Sequence, residues 1–259
     1  MRYLLTNDDG IYAKGLHALQ QELSKQAECV IVAPEVEQSA AGHAITLLRP
    51  LMVRPARKDG QFLGYAVAGT PADCVKIGVK ELAGGPVDLV VSGINRGANV
   101  GINVIYSGTV SAATEGVVLG IPSLALSLGT HREADYSFAA RFALRMARFM
   151  QKHPMPRVAM NVNIPALPEK EIRGLVVVRQ GRARLVESFE KRTDPRDNTY
   201  YWLAGETQLD EDDDEQSDAV ALSQGYITIT PLYYDLTRHD LLPVLKRQIK
   251  SEFGLFPLK

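Results

Sequence analysis

The period of the hydrophobic pattern changes along the chain, and each change marks an element. Arg2 to Thr6 is a short apolar run that stops at Asn7-Asp8-Asp9-Gly10. Leu16, Leu19 and Leu23 then recur at helical spacing, which predicts a strand, a loop and a helix. From Glu28 to Pro34 the β-branched residues run on without alternating, the mark of a strand buried on both faces, and this closes a βαβ unit. Within Gly69-Thr-Pro-Ala-Asp-Cys74, Thr70 is placed to cap a helix, Pro71 to open it and Asp73 to sit in its first turn; Val75, Val79 and Leu82 continue it. Val87 to Ser92 predicts another buried strand, Val110 to Leu119 a helix of small residues, and Ser123 to Leu128 a further strand. A longer helix after Asp135 carries Phe138, Phe142, Met146, Phe149 and Met150 on one face and leads to a strand around Val158 to Ile164. Strands alternating with helices predict an α/β protein with a mostly parallel, doubly wound sheet.

From about Arg173 the pattern changes. Gly174 to Gln180, Tyr200 to Leu203 and Tyr226 to Thr230 suggest strands without helices between them. The expected division is a core over 1–172 and an antiparallel β extension with a terminal helix over 173–259, the latter not an independent domain. The acidic run from Leu209 to Asp218 reads as a solvated loop held open by self-repulsion, and it lacks the spacing of a calcium loop.

At 259 residues the length suits one large core with an extension, and a net charge of −1 gives no footprint for a nucleic-acid duplex or an anionic membrane. An anionic ligand must be attracted locally. Cys29 and Cys74 lie in apolar stretches without CxxC spacing, so two buried thiols and a cytoplasmic location are expected. No secretory signal is expected from an N-terminus that reaches two acids so early. Val117 to Leu128, interrupted by Gly120 and Pro122, is too short to span a bilayer.

In an open parallel sheet, ligands bind beyond the carboxyl ends of the strands. Three unusual loops leave predicted strands there, carrying Asp8 and Asp9, Ser39, and Asn95 with Asn99. Adjacent carboxylates, a hydroxyl and an amide carbonyl make an all-oxygen set suited to magnesium or manganese, not zinc. An Asp pair alone is more often a loop or capping pair, and Ser39 or Asn95 alone an ordinary turn residue; shared location distinguishes them. Tyr106-Ser-Gly-Thr109 precedes the small-residue helix, so Ser107 and Thr109 either cap it, receive phosphate at its N-terminus, or do both. Two ionised aspartates repel a phosphate dianion unless a cation reverses the local field, so a phosphate site here requires metal.

Asn7-Asp8-Asp9-Gly10, Val91-Ser-Gly-Ile-Asn95 and Tyr106-Ser-Gly-Thr109 resemble the stationary-phase survival protein SurE family of nucleotidases. Gly69 to Cys74, Asn161-Val-Asn-Ile-Pro165 and Ile229-Thr-Pro-Leu232 extend the resemblance across nearly the whole chain. It implies a Rossmann-like core and a divalent-metal-dependent phosphomonoesterase for nucleoside 5′- and 3′-monophosphates, with short polyphosphate a further candidate substrate. It also implies one Mg2+ or Mn2+ per subunit on Asp8, Asp9, Ser39 and Asn95, with Asp8 and Asp9 catalytic. Phosphate contacts would come from Asn99, Ser107, Gly108 and Thr109, and a homodimer or homotetramer from an exchanged C-terminal extension. The chain departs from the family pattern after Ser39, where Ala40-Ala-Gly-His43-Ala replaces expected Gly and Ser residues.

Other phosphate chemistries fit less well. A haloacid-dehalogenase-like enzyme needs a DxD spacing, a dehydrogenase a glycine-rich turn after its first strand, and a P-loop a lysine that the 107–114 segment lacks. From a different class, a metal-dependent nucleotide sensor or carrier would use the same contacts without hydrolysis.

Overall fold

The computed structural model describes residues 1–210 and 213–254. The chain runs through β1 (Arg2–Thr6), α1 (Lys14–Leu23), β2 (Glu28–Pro34), β3 (Val53–Lys58), β4 (Gln61–Val67), α2 (Pro71–Ile77) and β5 (Leu89–Arg96). It continues with α3 (Gly108–Val118), β6 (Ser123–Leu128), α4 (Ser137–Lys152), β7 (Ala159–Ile164) and β8 (Gly174–Val177). Then follow β9 (Arg184–Thr193), β10 (Thr199–Gln208), α5 (Asp218–Ser223), β11 (Tyr226–Leu232) and α6 (Leu242–Phe253).

Nine strands form one sheet in the order β3-β4-β2-β1-β5-β6-β7-β11-β8, and every pairing from β4 to β7 is parallel. The chain builds outward from β1 to β2 and β4, then returns to the other side of β1 with β5. Strand order therefore reverses between β1 and β5, which opens a crevice at their carboxyl ends. The alternation along β1 divides the core: Tyr3 and Leu5 pack with Leu16 of α1 and Phe142 of α4, whereas Leu4 packs with Val75 of α2 and Ala112 of α3. Both faces of the sheet are thus covered, as continuous apolar strands require.

Local chemistry explains the helix positions. At α2, the Thr70 side chain accepts from the Asp73 N–H while Asp73 accepts from the Thr70 N–H, and Pro71 opens the helix. A π-turn over Gly78–Leu82 follows, so Val79 and Leu82 lie beyond the α-helix proper. In α4, Phe142, Met146 and Met150 are buried; Phe149, expected on that face, is exposed and packs its ring against His153. Among the described residues no helix is long and apolar enough to cross a membrane.

Sequence pattern missed the edge strand β3, where Pro55 and the exposed Arg54, Arg57 and Lys58 break the apolar signal. Those residues suit an edge, since charge and proline discourage further pairing. The antiparallel extension expected after residue 172 is the two-stranded ribbon of β9 and β10. The flanking strands join the main sheet instead: β11 lies antiparallel to β7, and β8 pairs with β11 in parallel. A short helix, α5, also intervenes where none was expected. Residues 211 and 212 of the acidic run lie outside the described residues. The run is not simply solvated, because buried Asp218 accepts from the N–H groups of Gly101, Gly181 and Ala219, and Asp213 from those of Arg182 and Ala183.

Helix α1 crosses β5 closely enough that a Cβ on Gly15 would lie 2.2 Å from the Ile94 carbonyl oxygen. Backbone cannot retreat as a side-chain tip can. Gly15→Ala is therefore expected to destabilise the protein by about 1–3 kcal/mol in urea unfolding; an unchanged midpoint would show that the helix shifts freely.

Candidate active site

The crevice between β1 and β5 holds a cavity of about 310 Å3 whose walls include Asp8, Asp9, Ser39, Asn95, Asn99 and Ser107. Parallel pairing of Thr6 with Ser92 brings the two strand exits side by side. Asp8 and Asp9 follow the end of β1, and Asn95 lies near the end of β5, beyond an irregularity between Ser92 and Asn95. Gly108 and Thr109 stand behind Asp8 rather than among these wall residues: Thr109 is fully buried, and a Cβ on Gly108 would meet the Asp8 Cβ at 2.7 Å.

Asp8 is locked to the start of α3. The Thr109 hydroxyl donates to its Oδ1 at 2.5 Å and the Thr109 N–H to its Oδ2 at 3.1 Å. Ser107 caps the same helix, its Oγ accepting from the Val110 N–H at 3.1 Å. Burial raises Asp8 above the ordinary carboxylate range despite the Thr109 bonds, and burial together with the Asp8 charge pushes Asp9 up to about 6. Glu37 adds a third carboxylate to the wall; Arg96 supplies positive charge and a backbone N–H to Asp9.

The loop bearing Ser39 is tied at several points. The Gln38 N–H donates to the Asp8 carbonyl, the Gly42 N–H to that of Tyr106, and the Thr46 N–H and hydroxyl to Asp73. His43 bonds through Nε2 to the buried Glu115 of α3 at 2.8 Å, and Lys76 pairs with the other oxygen at 2.7 Å. His43 thus serves the loop, whereas the imidazole on the cavity wall is His131.

Asn99 is held from β6 and β7. Its N–H donates to Asn163 Oδ1, its carbonyl accepts from Asn161 and Asn163, and its Nδ2 donates to Ser127 Oγ. Because a serine hydroxyl can donate or accept, either end of the Asn99 amide can face the cavity. Sequence reasoning missed these supports, although two asparagines two residues apart in an apolar strand were a usable signal. Glu37, Arg96 and His131 carried no comparable signal.

The residues fit a hard cation. Ser39 donates its proton to Glu37 at 2.6 Å, leaving the hydroxyl's lone pairs, and Asn95 spends its Nδ2 on the Gly97 carbonyl at 2.8 Å, leaving its oxygen. Among the described residues no group of three or more His, Cys, Asp and Glu is arranged to hold a metal. Two carboxylates with neutral oxygens match magnesium, which uses one or two carboxylates and takes its remaining ligands from water and substrate phosphate.

Thr109→Val keeps the shape of the side chain but removes the donor to Asp8. The variant is expected to lose about 1–3 kcal/mol in urea unfolding, the cost of an unsatisfied buried acceptor. A loss below about 0.5 kcal/mol would show that Asp8 does not depend on this bond.

Residues 3–187 match the family model for Survival protein SurE. Over 259 residues the chain is 68% identical to a 5′-nucleotidase SurE of Syntrophus aciditrophicus (strain SB), covering 100% of this chain and 97% of the relative. It is 52% identical to a protein of the same name from Syntrophobacter fumaroxidans, over 95% of this chain and 98% of the relative. The crystal structure of a SurE protein from Aquifex aeolicus superposes with a TM-score of 0.81 at 37% identity, covering 96% of this chain and 99% of that one. Matching fold and sequence together show that the chain belongs to the SurE family.

Proposed function

We propose that the chain is a phosphomonoesterase that hydrolyses nucleoside 5′-monophosphates to nucleoside and phosphate in the β1/β5 crevice. The observation that carries this reading is the placement of buried Asp8 beside half-buried Asp9 at the point where strand order reverses. The names of the two relatives support the substrate class. In this reading Asp8, Asp9, Ser39 and Asn95 hold one Mg2+ or Mn2+ per subunit. When bound, such a cation neutralises phosphoryl oxygens and lowers the pKa of water.

The chain's own residues supply placement. Thr109 fixes both oxygens of Asp8, so the carboxylate keeps one orientation. Asn99 and Ser107, the latter at the N-terminus of α3, face the phosphoryl group, and the helix dipole favours its charge, while Gly108 lets α3 approach Asp8 closely. Thr109 acts on that site through Asp8. Attack by water forms a phosphorus–oxygen bond as the ester oxygen leaves in line.

The same proposal extends to 3′-monophosphates and short polyphosphate, since contacts to phosphate alone do not distinguish these esters. It places the protein in the cytoplasm, where unpaired Cys29 and Cys74 remain reduced. It gives 173–259 a supporting and oligomer-forming role rather than that of an independent domain. Exposed Phe189, Tyr201, Trp202 and Leu203 on the ribbon support a homodimer or homotetramer.

Chelator-treated protein is expected to release no phosphate from nucleoside monophosphates until Mg2+ or Mn2+ is restored. Asp9→Asn should lower activity at least about 100-fold and abolish cation binding in calorimetry of the metal-free protein. Folded wild type that binds cation and nucleotide yet releases no phosphate would favour a nucleotide sensor or carrier.

A further inference from the structure

A second cavity, of about 260 Å3, adjoins the first and shares Asp9, Glu37 and Arg96 with it. Its remaining walls come from the start of α1 and the segment before α4. Tyr12 and Tyr136 contribute two aromatic rings, and Lys14 pairs with Glu133 across the rim at 2.7 Å, both side chains being largely exposed. We propose that this cavity is the nucleoside subsite, with the nucleobase against Tyr12 and Tyr136 while the phosphate occupies the neighbouring cavity. The proposal rests on the phosphomonoesterase reading above and adds where the rest of the substrate lies.

Three observations carry it. Contiguity comes first: the shared wall of Asp9, Glu37 and Arg96 lets one molecule reach both cavities without crossing a barrier of core residues. Charge gives direction. The cation proposed above draws the phosphate dianion into the first cavity, which without it is the more acidic of the two; here Asp9, Glu37 and Glu133 still outnumber Lys14 and Arg96 and no such cation is proposed, so this cavity is left to the neutral part of the substrate. The rings supply affinity. Tyr12 is 58% exposed, so the core does not require its ring, whereas Tyr136 is half-buried and packs on the core cluster, which fixes its position.

A competing cavity of about 400 Å3 lies on the other side, past Ala98 and His131. Its walls include Val100, Leu209 and Leu222, and its one ring is the His131 imidazole shared with the first cavity, so it lacks the pair of phenol rings that could hold a base. Stacking tolerates any base because each has a π-face, and the subsite is accordingly expected to take purines and pyrimidines alike.

Two readouts test the subsite. In the first, ligand-observed NMR follows adenosine and cytidine on metal-free protein. Wild type and Tyr12→Phe are expected to bind both nucleosides, and Tyr12→Ala neither. In the second, kcat/KM for adenosine 5′-monophosphate is divided by that for ribose 5-phosphate, which lacks the base. That ratio is expected to fall about tenfold in Tyr12→Ala and to be retained in Tyr12→Phe. An active enzyme whose ratio and nucleoside binding are the same in wild type and Tyr12→Ala overturns the subsite and leaves the phosphomonoesterase reading intact. If wild type hydrolyses neither ester but binds adenosine through Tyr12, the hydrolytic reading fails and the subsite stands.

Discussion

The site depends on one electrostatic constraint, which is that two neighbouring carboxylates are withdrawn from water where β1 leaves the sheet. Loss of solvation opposes the ionisation of both, with the charge of Asp8 adding to it at Asp9 and that of Glu37 adding to it at Asp8. The surroundings answer the two groups differently. Asp8 receives both donors that Thr109 can offer, at a helix end where negative charge is favoured. Asp9 receives a backbone N–H and the field of Arg96 and faces the cavity. The pair is therefore divided into one fixed carboxylate and one less fully satisfied carboxylate.

Polar ties concentrate around this pair. Glu115 anchors the Ser39 loop through His43 and draws in Lys76, so a buried acid on α3 is matched by a hydrogen-bonding imidazole and an ammonium rather than left alone. Asp218 performs a related service from the far end of the chain. Its carboxylate gathers N–H groups from Gly101 and Gly181, while the Gln180 side chain donates to the Gly101 carbonyl. The loop carrying Asn99 is consequently held from two sides, by Asn161 and Asn163 of β7 and by the segment around β8 and α5. A core ending at residue 172 would lack the second support.

What the sequence made legible follows from how local each signal is. Asp8, Asp9, Ser39 and Asn95 were recognisable as a set because each lies just past or near the end of a strand with an unambiguous apolar run. The capping box of α2 was legible because both of its halves lie within four residues. β3 was not, since an edge strand with Pro55 and three basic residues carries the pattern of a loop. Glu115 gave no signal because an acid in a helix normally faces water, and its partners lie 72 and 39 residues away. Thr109 was placed correctly at the helix start, but its engagement by Asp8 depends on packing between residues 101 apart.

The same constraint links stability to ligand binding. A carboxyl raised from 3.8 to about 6 in the folded state binds its proton more tightly there than in the unfolded chain. Its contribution to stability is therefore lost as pH rises from the unfolded value through the folded one. A cation that binds only the folded protein and is present at a hundred times its Kd returns about 2.7 kcal/mol. A cation held there, as proposed above, would relieve the resistance of the crevice to ionisation and so couple occupancy of the site to the integrity of the strand ends that form it.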